Sequence, residues 1–157
     1  MPHGMTRREV MQTGMLLAGG ICGCRTTGHS DALRCSCCDT PELEPESLTF
    51  GPGGLTIDLL RAPSLREVGS AAYLVHRDKP LQLIVVHADK LLYCVLSRLC
   101  THGGQVVSYN RQRGVLQCNG FNHSIFDLNG SVLKGPAEKP LRAYPVVFVE
   151  NALVVSI

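Results

Sequence analysis

The chain has no tryptophan, and aromatic residues fill only 5% of its 157 positions. That scarcity counts against a surface that stacks nucleobases, because such surfaces need exposed rings as platforms. Net charge is also small, formally +2 at pH 7. Basic residues of the body such as Arg61, Arg66, Arg77, Arg98, Arg111 and Arg113 are scattered and not gathered with aromatics, so no nucleic-acid partner is expected. No apolar run reaches the ~20 residues that cross a bilayer, which argues against a lasting transmembrane anchor. Internal repeats and long helical periodicity are missing. No Gly-x-Ser-x-Gly elbow and no evident acid/base pair support serine hydrolysis.

What is present describes a globular protein: 45% hydrophobic and 18% charged residues, in a length that suits one ordinary domain and is too short for two independent cores. Cysteines are uneven. Of the eight, Cys22, Cys24, Cys35, Cys37 and Cys38 crowd the first 38 residues, and only Cys94, Cys100 and Cys118 lie in the body. A disulfide-stapled scaffold would spread them through the fold, so the body cysteines read as chemical or buried.

Residues 1–24 read as an export signal. Thr6-Arg7-Arg8-Glu9-Val10-Met11-Gln12 sets a double arginine before a modest apolar stretch, Val10 to Gly23, and resembles a twin-arginine leader. Ile21-Cys22-Gly23-Cys24 resembles a degenerate lipobox, with Cys24 as the residue that would carry a lipid and associate the protein with the membrane. The expected location is therefore the periplasm, or the outer side of the cytoplasmic membrane. Residues 25–47 read as a linker: Cys35-Ser36-Cys37-Cys38 as exposed thiols that oxidise or stay idle, then the semi-extended Pro41-Glu42-Leu43-Glu44-Pro45-Glu46 run.

Residues 48–157 form the domain. Short β-branched runs separated by turn signals predict an all-β sandwich or barrel. Strands are expected at Leu55 to Leu59, Ala71 to His76, Leu81 to His87, Leu91 to Ser97, Val106 to Tyr109, Val115 to Cys118, Ile125 to Leu128, Ser131 to Leu133, Ala143 to Val149 and Leu153 to Ile157. Asn129-Gly130 is the strongest type I′ hairpin signal, and Pro63 to Val68 suits a short helical turn. His76 and His87 are expected in solvent at strand ends, and Cys94 in the core.

The chemistry concentrates in Cys100-Thr101-His102 and, after fifteen intervening residues, Cys118 with His123. Two thiolates and two imidazoles on two loops suit a [2Fe-2S] centre or a tetrahedral zinc site. The first pair follows a strand and precedes Gly103-Gly104, whose backbone amides can turn towards a buried anion such as a bridging sulfide. A cysteine nucleophile fits the doubled pattern less well than metal ligation does.

From about Leu55 to Ile157 the chain resembles a Rieske [2Fe-2S] domain. The resemblance rests on Leu91 to Gly104, on Cys118 to Gly130 through Phe126-Asp127-Leu128-Asn129-Gly130, and on Gly135-Pro136-Ala137-Glu138-Lys139-Pro140-Leu141, which matches the family's cluster-covering loop. It implies an antiparallel β sandwich with a two-loop cluster-binding subdomain, a [2Fe-2S] cofactor, Cys100 and Cys118 on the inner iron, and His102 and His123 on the outer. The family's second motif has two residues between Cys and His. Here there are four, with Phe121 at the usual His position, and the loop reads as a lengthened one still delivering His123.

The resemblance further implies one-electron transfer to or from a redox partner protein, as a carrier or as a subunit of a membrane quinol-oxidising or other respiratory complex. Protonation of the imidazoles could couple to the electron. A structural zinc or metal-free β binding module is the alternative. Gln105 occupies a slot where quinol-oxidising relatives carry a disulfide cysteine, and Phe126 one where they often carry a tyrosine. Fewer hydrogen bonds to sulfur place the expected potential in the lower part of the Rieske range of roughly −150 to +300 mV.

Overall fold

A computed structural model describes residues 40–157 except Arg77, Lys79, Phe121 and Asn122. The export leader, the lipobox and the Cys35-Ser36-Cys37-Cys38 run lie outside the described residues. The all-β expectation holds. The described strands are β1 (Leu48–Gly51), β2 (Gly54–Asp58), β3 (Ala71–Val75), β4 (Gln82–Asp89), β5 (Leu92–Ser97), β6 (Val107–Asn110), β7 (Val115–Cys118), β8 (Ile125–Phe126), β9 (Val132–Lys134), β10 (Ala143–Tyr144), β11 (Val146–Val149) and β12 (Ala152–Ser156). Among the described residues, helical content is confined to the 3₁₀ turns Pro45–Ser47 and Pro63–Leu65, each opened by a proline whose fixed φ suits a first turn.

The strands form three four-stranded antiparallel sheets, ordered β1-β2-β12-β11, β10-β5-β4-β3 and β6-β7-β8-β9. The first two share a core of Leu55, Ile57, Leu65, Leu74, Leu83, Val85, Leu153 and Val155, all nearly or wholly excluded from solvent. The opposite face of the middle sheet buries Ile84, Val86 and Leu96 with Val107, Leu116 and Phe126 of the third sheet. β4 is therefore buried on both faces, which is why its sequence is a continuous apolar run without alternation. Burying each such side chain contributes roughly 1.5–3 kcal/mol before entropy is counted.

Four sequence expectations are corrected. Ala143 to Val149 is two strands, because Pro145 lacks an N–H and turns the chain from pairing with β5 to pairing with β12. Residues 40–47 do not run free of the domain. Glu42 bridges Tyr73, Leu43 is buried, and the Thr40 Oγ1 accepts from the Tyr109 amide at 3.0 Å. The alternating Glu/Leu pattern there conceals one deeply anchored leucine.

The Asn129-Gly130 turn is not type I′, which needs φ > 0 at both central residues. Asn129 has a negative φ, and the Asp127 carboxylate takes the amides of Asn129 and Ser131 at 2.9 and 2.7 Å instead. His87 is also not at a solvated strand end. β4 continues past it through a bulge, its ring stacks on Tyr93 at 4.3 Å, and it is only 5% exposed. Neither of its ring nitrogens has a hydrogen-bond partner among the described residues.

Candidate metal centre

Two loops at one end of the third sheet carry the predicted ligands. The first leaves β5 and is drawn tight by the Cys100 amide donating to the Gln105 carbonyl at 2.7 Å and the Gly104 amide to the Cys100 carbonyl at 2.8 Å. Gly104, at φ +68, takes the left-handed conformation that closes this turn. A bridge between Leu99 and Val106 then returns the chain to β6.

The second loop leaves β7 and closes with the Cys118 amide donating to the Ser124 carbonyl at 2.9 Å. Asn119 joins the two loops, its amide donating to the Val106 carbonyl at 2.9 Å. Gly120 fits against the first loop so closely that a Cβ there would meet the Gln105 side chain at 3.0 Å.

These contacts bring the ligand atoms of Cys100, His102 and Cys118 to within 4.8 Å of one another. Both cysteines are buried and His102 is exposed. His102 Nδ1 lies 3.9 Å from Cys100 Sγ. His123 stands outside that group of three. It is exposed, at φ +24, with Nδ1 2.9 Å from the Cys118 carbonyl. A carbonyl only accepts, so this contact requires a proton on Nδ1 and leaves the lone pair of a neutral ring on Nε2.

Electrostatics favour occupation by a cation. Burial pushes the Cys118 thiol up, and the neighbouring Cys100 thiol adds to the shift, while the amides of Gly120 and Ser124 pull it back. The Gly120 amide donates to Cys118 Sγ at 3.4 Å. Two buried thiolates side by side are costly alone and become favourable around a metal, and the amides aimed at sulfur stabilise the added negative charge. The donor set of two soft sulfurs and an imidazole thus fits the iron of a [2Fe-2S] centre with mixed ligands.

A cover completes the site. The chain from Lys134 to Lys139 crosses both loops: the Ala137 amide donates to the buried Ser124 Oγ at 3.1 Å, and Thr101 Oγ1 donates to the Lys139 carbonyl at 2.6 Å. Gly135, at φ +105, approaches so near that a Cβ would sit 2.6 Å from Ser124 Cα. Thr101 and Asn119 were not singled out by sequence. Their partners are remote in the chain, and only the position of Thr101 between two ligands hinted at a role. Ser124 keeps its hydroxyl proton free to donate, because its oxygen is the acceptor for Ala137. Cys94 packs half-buried beside this core, its thiol pushed up by burial and then by Asp127.

Comparison with known proteins agrees with this geometry. A family model for the Rieske [2Fe-2S] domain matches residues 61–145. Among solved structures, the cyanobacterial plasma membrane Rieske protein PetC3 from Synechocystis PCC 6803 is similar at 26% identity, over 54% of this chain and 86% of that one, with a TM-score of 0.48. The ferredoxin of carbazole 1,9a-dioxygenase from Nocardioides aromaticivorans IC177 is similar at 22% identity, over 57% and 86%, with a TM-score of 0.47. No curated protein sequence matches. The matched span runs from before β3 to Pro145 and takes in both ligand loops and the cover, more than half of the chain, so the chain belongs to the Rieske [2Fe-2S] domain family and its chemistry is Rieske-type electron transfer.

Proposed function

We propose that Cys100, His102, Cys118 and His123 hold the [2Fe-2S] cluster of an exported one-electron carrier, which exchanges electrons with a redox partner protein at its histidine edge. The observation that carries this reading is the convergence of two buried thiols and one exposed imidazole to within 4.8 Å. Bound there, the cluster supplies a single-electron couple. The protein keeps the sulfur side dry through Cys100 and Cys118 and turns His102 to the surface.

His123 is the remaining ligand of this reading, because it leaves the same loop as Cys118 and the ligand loops hold no histidine besides His102 and His123. The double arginine at Arg7-Arg8 supports export, since a cluster inserted in a reducing cytoplasm has to cross the membrane in a folded host.

Electron paramagnetic resonance of the dithionite-reduced protein, with iron, sulfide and zinc analysis, tests the centre. A rhombic signal of low average g with two irons per chain is expected, and its loss in His123→Ala would assign the fourth ligand. Stoichiometric zinc without iron would overturn the reading. Fractionation of a full-length, tagged chain and of an Arg7→Lys/Arg8→Lys variant tests export.

A further inference from the structure

The charges of this chain are sorted between its regions. From Arg98 to Arg142 the bases are Arg98, Arg111, Arg113, Lys134, Lys139 and Arg142, against only Asp127 and Glu138. Elsewhere in residues 40–157 the acids outnumber the bases, led by Glu42, Glu44 and Glu46. The ligand loops are thus set in the cationic part of a molecule whose total charge is small.

Two of those cations flank the mouth of the centre. Lys134 pairs with Ile125, next to the His123 loop, and the following Gly135 comes within 2.9 Å of the His123 carbonyl, measured from a Cβ built on it. Lys139 is tied by its carbonyl to Thr101, between Cys100 and His102. Both side chains are exposed, as is Arg142. Among the described residues the ion pairs are Arg61–Asp58 and Arg111–Glu67, so neither engages these three. The two thiolates make the oxidised centre formally neutral, leaving the field at its mouth to this rim.

We propose that the rim of Lys134 and Lys139 is the docking face for an acidic one-electron carrier protein. This rests on the reading of the site as an electron-transfer centre. In the encounter one electron passes from the reduced protein, which is oxidised, to the oxidised one, which is reduced, and no bond or proton has to move. Carboxylates on the carrier meet the two lysines, and attraction over a Debye length of about 10 Å at 0.1 M salt steers the approach towards the histidine edge. An anionic lipid surface fits less well, because such surfaces recruit clusters of four to eight bases, whereas Glu138 interrupts this one.

The test is stopped-flow oxidation of the reduced holoprotein by probes of opposite charge: ferricyanide and an acidic plastocyanin against tris(phenanthroline)cobalt(III) and a basic cytochrome c. Rates with the two anionic probes are expected to fall about tenfold as ionic strength rises from roughly 10 to 300 mM, and those with the cationic probes to stay level or rise. Lys134→Glu/Lys139→Glu should invert both slopes at unchanged iron content, and Lys134→Gln/Lys139→Gln should flatten them if the reversal does not fold.

Equal slopes for both charge classes, or slopes indifferent to either double variant, would overturn the proposal. So would lysine-dependent binding to phosphatidylserine vesicles, or lysine-dependent self-association, in place of charge-selective rates. Failure of the site reading looks different: the purified protein then carries no iron and shows no reduced signal at all.

Discussion

The two-sheet base and the cluster-bearing sheet are built on different physical terms. In the base, β4 runs for eight residues and β5 for six, and their side chains are locked into a core shared with the β1-β2-β12-β11 sheet. In the third sheet no strand exceeds four residues, and β8 has only two. Its ordering comes from hydrogen bonds between loops, from Phe126 and Leu116 packed against β4 and β5, and from two cysteines that a metal can clamp. The base is stabilised by apolar area. The third sheet is stabilised in large part by connections, and a cluster binding only the folded form adds to it by linkage.

Removing a ligand breaks this comparison most sharply. Cys118→Ser should abolish iron binding and the reduced resonance signal. In hydrogen exchange, amides of β6 to β9 should lose protection while those of β4 and β5 keep most of theirs. Equal loss in both regions would show that the two are one cooperative unit.

A core truncation in the base should act the other way. Leu153→Ala, at a position with no exposed surface, is expected to cost about 2–5 kcal/mol. Thermal unfolding followed by circular dichroism and by cluster absorbance should then shift together, because the third sheet leans on the base.

Gly135→Ala is expected to weaken the cover alone. The left-handed conformation disfavours an L-residue by about 1–2 kcal/mol, and the added methyl collides with Ser124. The checks are faster iron release to a chelator and little change in protection of β4. His87→Phe should instead stabilise the base by about 1 kcal/mol, since it keeps the stack on Tyr93 and removes two unpartnered buried nitrogens. A lower midpoint in urea would contradict this.

The smallest effect is alkaline. Burial raises the pKa of Tyr93 and Cys94, and of Tyr109, where Arg111 opposes the shift and Cys94 adds to it. Groups raised in the folded state contribute stability that is complete below their unfolded pKa and is lost as pH climbs through the folded value. The melting temperature should therefore show no pH dependence from these groups between pH 6 and 8 and fall above about 9, the ordinary value for the cysteine. Tyr109→Phe should reduce the slope.

Most strand positions were readable, because β-branched runs bounded by turn residues carry a local signal; β7 falls at Val115–Cys118 as expected. The elements that escaped depend on distant partners. β1 (Leu48–Gly51) has three exposed positions and no inward alternation, so only its pairing with β2 makes it a strand. His87 looked like a hairpin flank because the bulge that carries β4 to Asp89, and the Tyr93 ring covering it, have no signature in the residues between.

By itself the sequence determined the all-β class and the family, and singled out Cys100, His102 and Cys118, because each is written in short-range patterns of residue type and spacing. The tertiary structure alone decided what those residues meet. It placed two buried thiols and one imidazole within 4.8 Å, laid the Lys134 to Lys139 segment across both loops, and set the His123 ring against the Cys118 carbonyl. Such contacts join residues far apart in the chain, or turn on the path of a loop. Their energies depend on distances of a few ångströms that spacing in a sequence does not encode.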